Sequence, residues 1–365
     1  MTSALMESII AQGDRLATHS WEYGTFAEAL LEWYDPCYSV FGNNPFPDGK
    51  IPVADITEVR SLSYAQPHIS TNSTTLVDGD GSAGDPASLG VPAILIGQTQ
   101  PAYLAAAARQ VDHLLTAVPR WPGNGAISHR EDVAELWADS VYMVPPTLAY
   151  HAVATANATL LAASIAQCAA YRAVLAVPAG ADAAGLWHHI VGPQSQDLGV
   201  WSTGNAWAAA GMARVLATAK KSPFAADDDI ADGIASLAAN IRAILDGAMA
   251  VDAREPAEPL LRNYLNDTAW FGELSGTTLL TAVAYRMLSL EPGEFAVDVY
   301  GRWADEKRAA IEARIGDDGL LAPVINPLDW YDTTPATESP EAQSFTVLMF
   351  AAYRSFCEGC LGDGP

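Results

Sequence analysis

The strongest constraint on this chain is a helical period that returns again and again, with no alternating strand blocks between. From Pro101 to Val118, Leu104, Ala108, Val111, Leu115 and Val118 recur every three or four residues, with Arg109 and Asp112 on the polar face. Asp227 to Leu245 repeats the pattern through Ile230, Ile234, Leu237, Ile241 and Ile244, and its opening Asp triplet suits the positive end of a helix. Residues 5–16, 26–34, 86–97, 139–151, 158–174, 204–218, 272–287, 294–315 and 341–356 read the same way. Roughly eleven helical segments separated by Pro/Gly loops make the fold class all-α.

No strict period of about 20–50 residues marks an open solenoid. Helices that pair antiparallel through short loops close instead into a ring of hairpins, and a pocket then forms where helix N-termini and loops meet. Residues 1–365 are expected to make one such domain. The exception to the helical text is a long irregular arm at about 35–84, rich in Pro, Gly, Asn, Ser and Asp, which is too long for an ordinary connection. Ahead of it, Trp21 and Tyr23 precede Gly24 and suggest a loop offering ring faces, or else core aromatics.

Charge and composition exclude several classes. With 19 Lys and Arg, a net charge of -24 and a pI near 4.4, the chain lacks the basic surface that nucleic acid requires. An anionic ligand would need its own local positive charge. No apolar run reaches the roughly 18 residues of a membrane span, so a soluble protein without a membrane partner is expected. Four cysteines, Cys37, Cys168, Cys357 and Cys360, are too few for a disulfide framework, and the terminal pair reads as thiols or a local disulfide. No secretory leader opens the chain, while sequons at Asn72, Asn157 and Asn266 suit secretion. It is therefore expected to be intracellular or a trimmed secreted protein.

Nucleotide loops, HExxH and Gly-x-Ser-x-Gly are missing from the sequence, which leaves carboxylates to carry chemistry. The stretch from His129 to Pro146 places Asp139 two residues after Trp137, at the start of a helix. An indole beside a carboxyl desolvates it and favours a general acid. Asp85 ends the long arm just before Pro86, and two carboxylates at neighbouring helix mouths are what glycosidic-bond chemistry uses. Asp is also a preferred N-cap, so the residues alone leave both readings open for each acid. Arg130 with His129, and His189 with His188, are the counterions available to an anionic substrate, while Trp201 and Trp207 suit either sugar stacking or core.

Four stretches together resemble the unsaturated glycuronyl hydrolases of glycoside hydrolase families 105 and 88. They are Trp137-Ala138-Asp139-Ser140-Val141-Tyr142-Met143 with Pro145-Pro146, Gly204-Asn205-Ala206-Trp207-Ala208, Glu273-Leu274-Ser275-Gly276-Thr277, and Ser339-Pro340-Glu341-Ala342-Gln343-Ser344-Phe345. The resemblance implies an (α/α)6 barrel that needs no metal or cofactor. Its implied substrate is an unsaturated oligosaccharide left by a polysaccharide lyase. Asp139 falls on the family's acid/base aspartate, which protonates C4 of the C4=C5 double bond, and Asp85 matches its second aspartate as a nearby anion. His129, Arg130 and His189 correspond to substrate-contacting basic positions and Trp207 to an aromatic wall. Trp137, Trp201, Asn205, Trp21 and Tyr23 complete the expected substrate-binding set. Rhamnogalacturonyl members often read Arg-Gly-Asn-Gly-Trp where this chain has Thr203-Gly204-Asn205-Ala206-Trp207, so a guanidinium fork is lost there. The long arm resembles a fungal-type subgroup. An inverting glycosidase using Asp139 and Asp85, or a carbohydrate-binding toroid without activity, fits the same fold.

Overall fold

Helices that are buried on all sides must carry small or apolar residues around their whole circumference, whereas helices with one wet face are amphipathic. Both kinds occur, and they alternate along the chain. The computed structural model describes residues 2–362. In chain order the helices are α1 (Ser3–Leu16), α2 (Ser20–Tyr34), α3 (Arg60–Ala65), α4 (Gly90–Gly97), α5 (Pro101–Thr116) and α6 (Ser140–Ala154). They continue as α7 (Ala158–Leu175), α8 (Ser202–Lys221), α9 (Asp228–Asp252), α10 (Leu274–Leu290), α11 (Arg302–Glu312) and α12 (Pro340–Gly362).

The even-numbered helices form the inner ring. Each packs on its neighbours in turn: α2 on the turn before α4, α4 on α6, α6 on α8, α8 on α10, α10 on α12, and α12 back on α2. The odd-numbered helices lie outside them, with α1 on α12, α3 on α2, α5 on α4, α7 on α6, α9 on α8 and α11 on α10. This is the (α/α)6 toroid. Its division of labour is written in the residues: α8 is buried continuously from Ser202 to Ala219, whereas α11 buries only Trp303, Ala304, Lys307 and Ile311.

Close approach of the inner helices depends on glycine. A Cβ on Gly211 of α8 would lie 2.1 Å from the Val141 carbonyl of α6, which Pro145 leaves without its helical N–H partner. On the other side of α6, a Cβ on Gly90 would meet Thr147 at 2.3 Å.

Toward the C-terminal ends of the inner helices a buried ion cluster spans the axis. Arg214 of α8 pairs with Glu28, at 2.8 Å, and with Glu32 of α2, while Arg286 of α10 bonds the other Glu32 oxygen at 2.6 Å. Arg354 of α12 caps the C-terminal carbonyls of Glu32 and Trp33.

The 35–84 arm packs on the body, as one of the two readings of so long an irregular stretch expects: Phe46, Ile51, Ile56, Leu62, Ile69 and Leu76 are buried with Leu31, Leu89, Ile94 and Tyr150 in a core of their own. Its one α-helix is the short α3, with 3-10 turns at Pro36–Tyr38, Pro47–Gly49 and Gln66–His68, and it covers α2 where a full outer helix would otherwise stand. Several expectations need correction. Trp21 and Tyr23 lie in the first turns of α2 rather than in a loop. Two outer helices, α7 and α9, are long and apolar enough to cross a bilayer by length and composition, which the run-based reading missed. In the toroid they pack on α6, on α8 and on each other. Cys37 and Cys168 are free thiols, and the Cys360 side chain lies outside the described residues.

The ion cluster provides a test of what closes the ring. Arg214→Ala leaves Glu28 and Glu32 buried without their main partner, so unfolding in denaturant should show a loss of about 3–5 kcal/mol. Arg214→Met, which fills the space without the charge, should be no better.

Candidate active site

The inner helices all present their N-termini to one end of the ring, and a cavity of ≈ 180 Å³ opens there. Its wall draws on five of the six: Trp21 from α2, Asp85 before α4, Asp139 at the cap of α6, Trp201 at the cap of α8 and Glu341 in α12. Glu273, at the cap of α10, stays out of the cavity. It accepts from its own helix at Ser275 N (2.5 Å) and Gly276 N (2.7 Å) and from Ser202 Oγ (2.7 Å).

That contrast decides the capping question for the two aspartates. Asp139 occupies the N-cap position, but with helical φ/ψ of -57° and -37° and no capping hydrogen bond from its side chain. Its Oδ2 is buried without a hydrogen-bond partner, and the nearest cation site is His189 Nε2 at 3.5 Å. Asp85 starts a 3-10 turn and likewise caps nothing. Burial, reinforced by the charge of Asp139, pushes the Asp85 carboxyl up to about 7, with Ser82 and Arg130 pulling the other way. A carboxyl that is neutral below pH 7 is not the standing anion expected from the sequence.

Loop stitching holds the remaining groups. The strands β1 (Leu136–Trp137) and β2 (Ile190–Val191) form a two-residue antiparallel ladder. Next to it Ala138 N bonds His189 O at 2.9 Å, and His129 N bonds Glu135 O at 2.8 Å. The buried Glu135 also accepts from Trp137 Nε1 at 2.8 Å, which sets the indole. Trp137 stacks on His129 at 4.6 Å and stands edge-on to His189 and Trp330.

The basic groups divide into three states. Burial drives His129 down to about 3 despite the pull of Asp139, so it is a neutral ring rather than a counterion; it sits 4.0 Å from Asp85 Oδ1. Burial also works against charge on His189, but hydrogen bonds and charge from Asp139 and Asp197 outweigh it and raise its pKa. Arg130 lines the cavity with its Nε buried and unpaired, and among the described residues it has no carboxylate partner. His188 turns away to the Leu198 carbonyl.

Of the other expected residues, Trp21, Trp137, Trp201 and Trp207 line the cavity, with Trp207 as a fully buried floor against Tyr142 and Phe345. Tyr23 does not. Two residues on from Trp21 it faces the opposite side of α2, where it stacks on His68 at 3.9 Å. Asn205 is also outside the cavity: its amide clamps Trp187 N (2.8 Å), Trp187 O (3.0 Å) and Trp201 O (2.9 Å). Thr203 is buried beside it and does not line the cavity either.

Three groups escaped the sequence reading. Glu341 holds Trp21 Nε1 at 3.0 Å through one oxygen while the other is buried and unpaired, and burial with the charges of Asp139 and Glu22 raises its pKa well above the usual range. Trp330, from the loop before α12, packs against Trp137, His189 and Trp201. Asp197 lies behind His189. Glu341 stood in a matched stretch and could have been singled out; nothing local distinguishes Trp330 or Asp197 from other loop residues.

The family model described as Glycosyl Hydrolase Family 88 matches residues 64–247, just over half of the chain. That span holds Asp85, His129, Arg130, Asp139, His189 and Trp201 but not Trp21, Trp330 or Glu341. No curated protein matches the sequence. Among solved structures, a possible member of the GH105 family from Salmonella enterica serovar Paratyphi A superposes with a TM-score of 0.72 at 16% identity, covering 97% of this chain and 93% of that one. A family 105 glycoside hydrolase from C. acetobutylicum gives 0.72 at 16% identity over 97% and 99%. An unsaturated glucuronyl hydrolase specific for heparin gives 0.62 at 12% identity over 97% and 98%. These structures share the toroidal fold, and with a family match across more than half its length the chain belongs to glycosyl hydrolase family 88 and is a glycoside hydrolase.

Proposed function

We propose that this glycoside hydrolase removes a 4,5-unsaturated uronic acid from the non-reducing end of lyase-derived oligosaccharides, by hydrating the C4=C5 double bond. The observation that carries the reading is the uncapped Asp139: a carboxyl at a helix start, spent on no structural bond, in a cavity walled by indoles.

The chemistry follows from what the cavity supplies. The double bond is a vinyl ether, so a proton placed on C4 leaves positive charge shared between C5 and the ring oxygen. Asp139 gives that proton as the C4–H bond forms. Water then adds to C5, returning a proton to the Asp139 carboxylate, and the hemiketal opens to release the rest of the sugar. The aromatic wall of Trp137, Trp201 and Trp330 excludes bulk water and strengthens these charge interactions.

The uronate carboxylate needs a cation, and Arg130 is the guanidinium that lines the cavity without a carboxylate partner. It supplies what Thr203 cannot. The inner-helix N-termini that reach the cavity add positive potential in a chain of net charge -24. Asp85, neutral below about pH 7, acts as a hydrogen-bond donor to the sugar rather than as an anion under C5.

Loss of ultraviolet absorbance from the conjugated uronate tests the reaction. Products of pectin, glucuronan, ulvan and glycosaminoglycan lyases form the substrate panel. Asp139→Asn should lower the rate on the best product by about 10²–10⁴-fold with unchanged circular dichroism. An active Asp139→Asn protein, or turnover of saturated oligosaccharides in place of unsaturated ones, sinks the reading. Arg130→Ala should cut kcat/KM by about 10- to 100-fold through a charged hydrogen bond lost to the carboxylate.

Asp85 also makes a pH prediction about stability. Its folded pKa of about 7 lies above the ordinary 3.8, so the stability it contributes is full below about pH 4 and is lost as pH rises through 7. Asp85→Asn should therefore match wild type in denaturant unfolding near pH 4 and become the more stable protein towards pH 8.

A further inference from the structure

Behind the proposed acid stands a chain of contacts that the reaction as described does not use. His189 Nε2 is 3.5 Å from Asp139 Oδ2, and its other nitrogen, Nδ1, is 2.9 Å from Asp197 Oδ2. Asp197 in turn accepts from Tyr264 Oη at 2.5 Å through the same oxygen and from Gly199 N at 2.8 Å through Oδ1. The four side chains come from four separate segments: the cap of α6, the β2 edge, the loop after β2 and the stretch before α10.

The geometry fixes what each atom can do. Asp197 is held below the usual carboxylate range because the His189, Tyr264 and Gly199 hydrogen bonds outweigh its burial. An ionised Asp197 only accepts, so the His189 proton facing it sits on Nδ1, and Nε2 is the nitrogen left for Asp139. Backbone bonds pin the ring from both directions: His189 N to Gly199 O at 2.9 Å, and Ala138 N to His189 O at 2.9 Å. Trp137, Trp201 and Trp330 enclose the imidazole, whose side chain has no exposed surface.

We propose that Asp197, backed by Tyr264, is a positioning residue for the reaction: it locks His189 with Nε2 facing Asp139 Oδ2 across 3.5 Å, each atom otherwise unpartnered, so that His189 and Asp139 take up and give up the catalytic proton as a pair. The inference deepens the function proposed above and rests on it for the role of Asp139. One proton leaves the pair as the C4–H bond forms. The oxygen of water bonds to C5, and a water proton returns to the pair, so Nδ1 keeps its proton throughout and the site ends as it began.

Other charges bear on the pair. Asp85 and Glu341 face Asp139 electrostatically, His129 senses His189 and Asp139, and Tyr331 joins Tyr264 on the far side of Asp197. Of these groups only Asp197 bonds the ring itself. Removing its charge lowers the affinity of the pair for the catalytic proton, so the active protonated form is lost at lower pH.

Two measurements test this. In the pH profile of kcat/KM, Asp197→Asn should move the alkaline limb down by about 1–3 pH units, while Tyr264→Phe, which keeps the Asp197 charge, should not move it down. In nitrogen NMR of the wild type, the neutral His189 ring should carry its proton on Nδ1, with Nε2 the nitrogen that titrates, and Asp197→Asn should lower that titration. An unshifted limb and an unshifted ring titration in a folded Asp197→Asn protein overturn the proposal, as does a wild-type ring protonated on Nε2 when neutral. If wild type turns over no unsaturated product, the reaction falls and the catalytic role of the pair with it; the ring titration still reads the Asp197–His189 contact separately.

Discussion

Closing six inner helices into a ring is the constraint from which the rest of this structure follows. Helices that touch neighbours on both flanks need narrow backbones, hence Gly211 against Val141 and Gly90 against Thr147. Their C-terminal ends meet around the Arg214 and Arg286 cluster with Glu28 and Glu32, and their N-terminal ends surround a cavity. Unpaired N–H groups and aligned peptide dipoles make that second end the place where acids and anions are stabilised.

The ring then distributes its acids unequally. Glu273 is spent on structure, accepting from Ser202, Ser275 and Gly276. Asp85, Asp139 and Glu341 are not, and they crowd one small cavity in which burial first, and then the charge of Asp139, raises the cost of ionising Asp85 and Glu341. The neutral His129, the charge-favoured His189 and the unpaired Arg130 show how burial and partners, rather than residue type, decide which basic group carries charge.

Much of the architecture was legible because helical periodicity is local: residue spacing over a few turns reported every helix but the short α3, and small residues in α8 reported close packing. Site membership was less legible because it depends on which face a residue presents. Trp21 reaches the cavity and Tyr23, two positions later, stacks on His68 instead; Asn205 sits inside a matched motif yet clamps the backbone of Trp187. The long arm read as either a loop or a packed extended arm because its buried residues follow no period, and they fill a core against Leu31, Leu89 and Tyr150.

By itself the sequence determined the all-α class, the family resemblance and the candidacy of Asp139 and Asp85, since these rest on spacing and residue type within short windows. Whether those aspartates cap helices or stand free was decided only by the tertiary structure, as was the pairing of Asp197 with His189 and Tyr264. Hydrogen-bond partners and desolvation come from segments far apart in the chain: residue 139 meets 189, and 197 meets 264, only because the ring brings their loops to the same end. The period of a helix is a local property, and the protonation state of a buried acid is not.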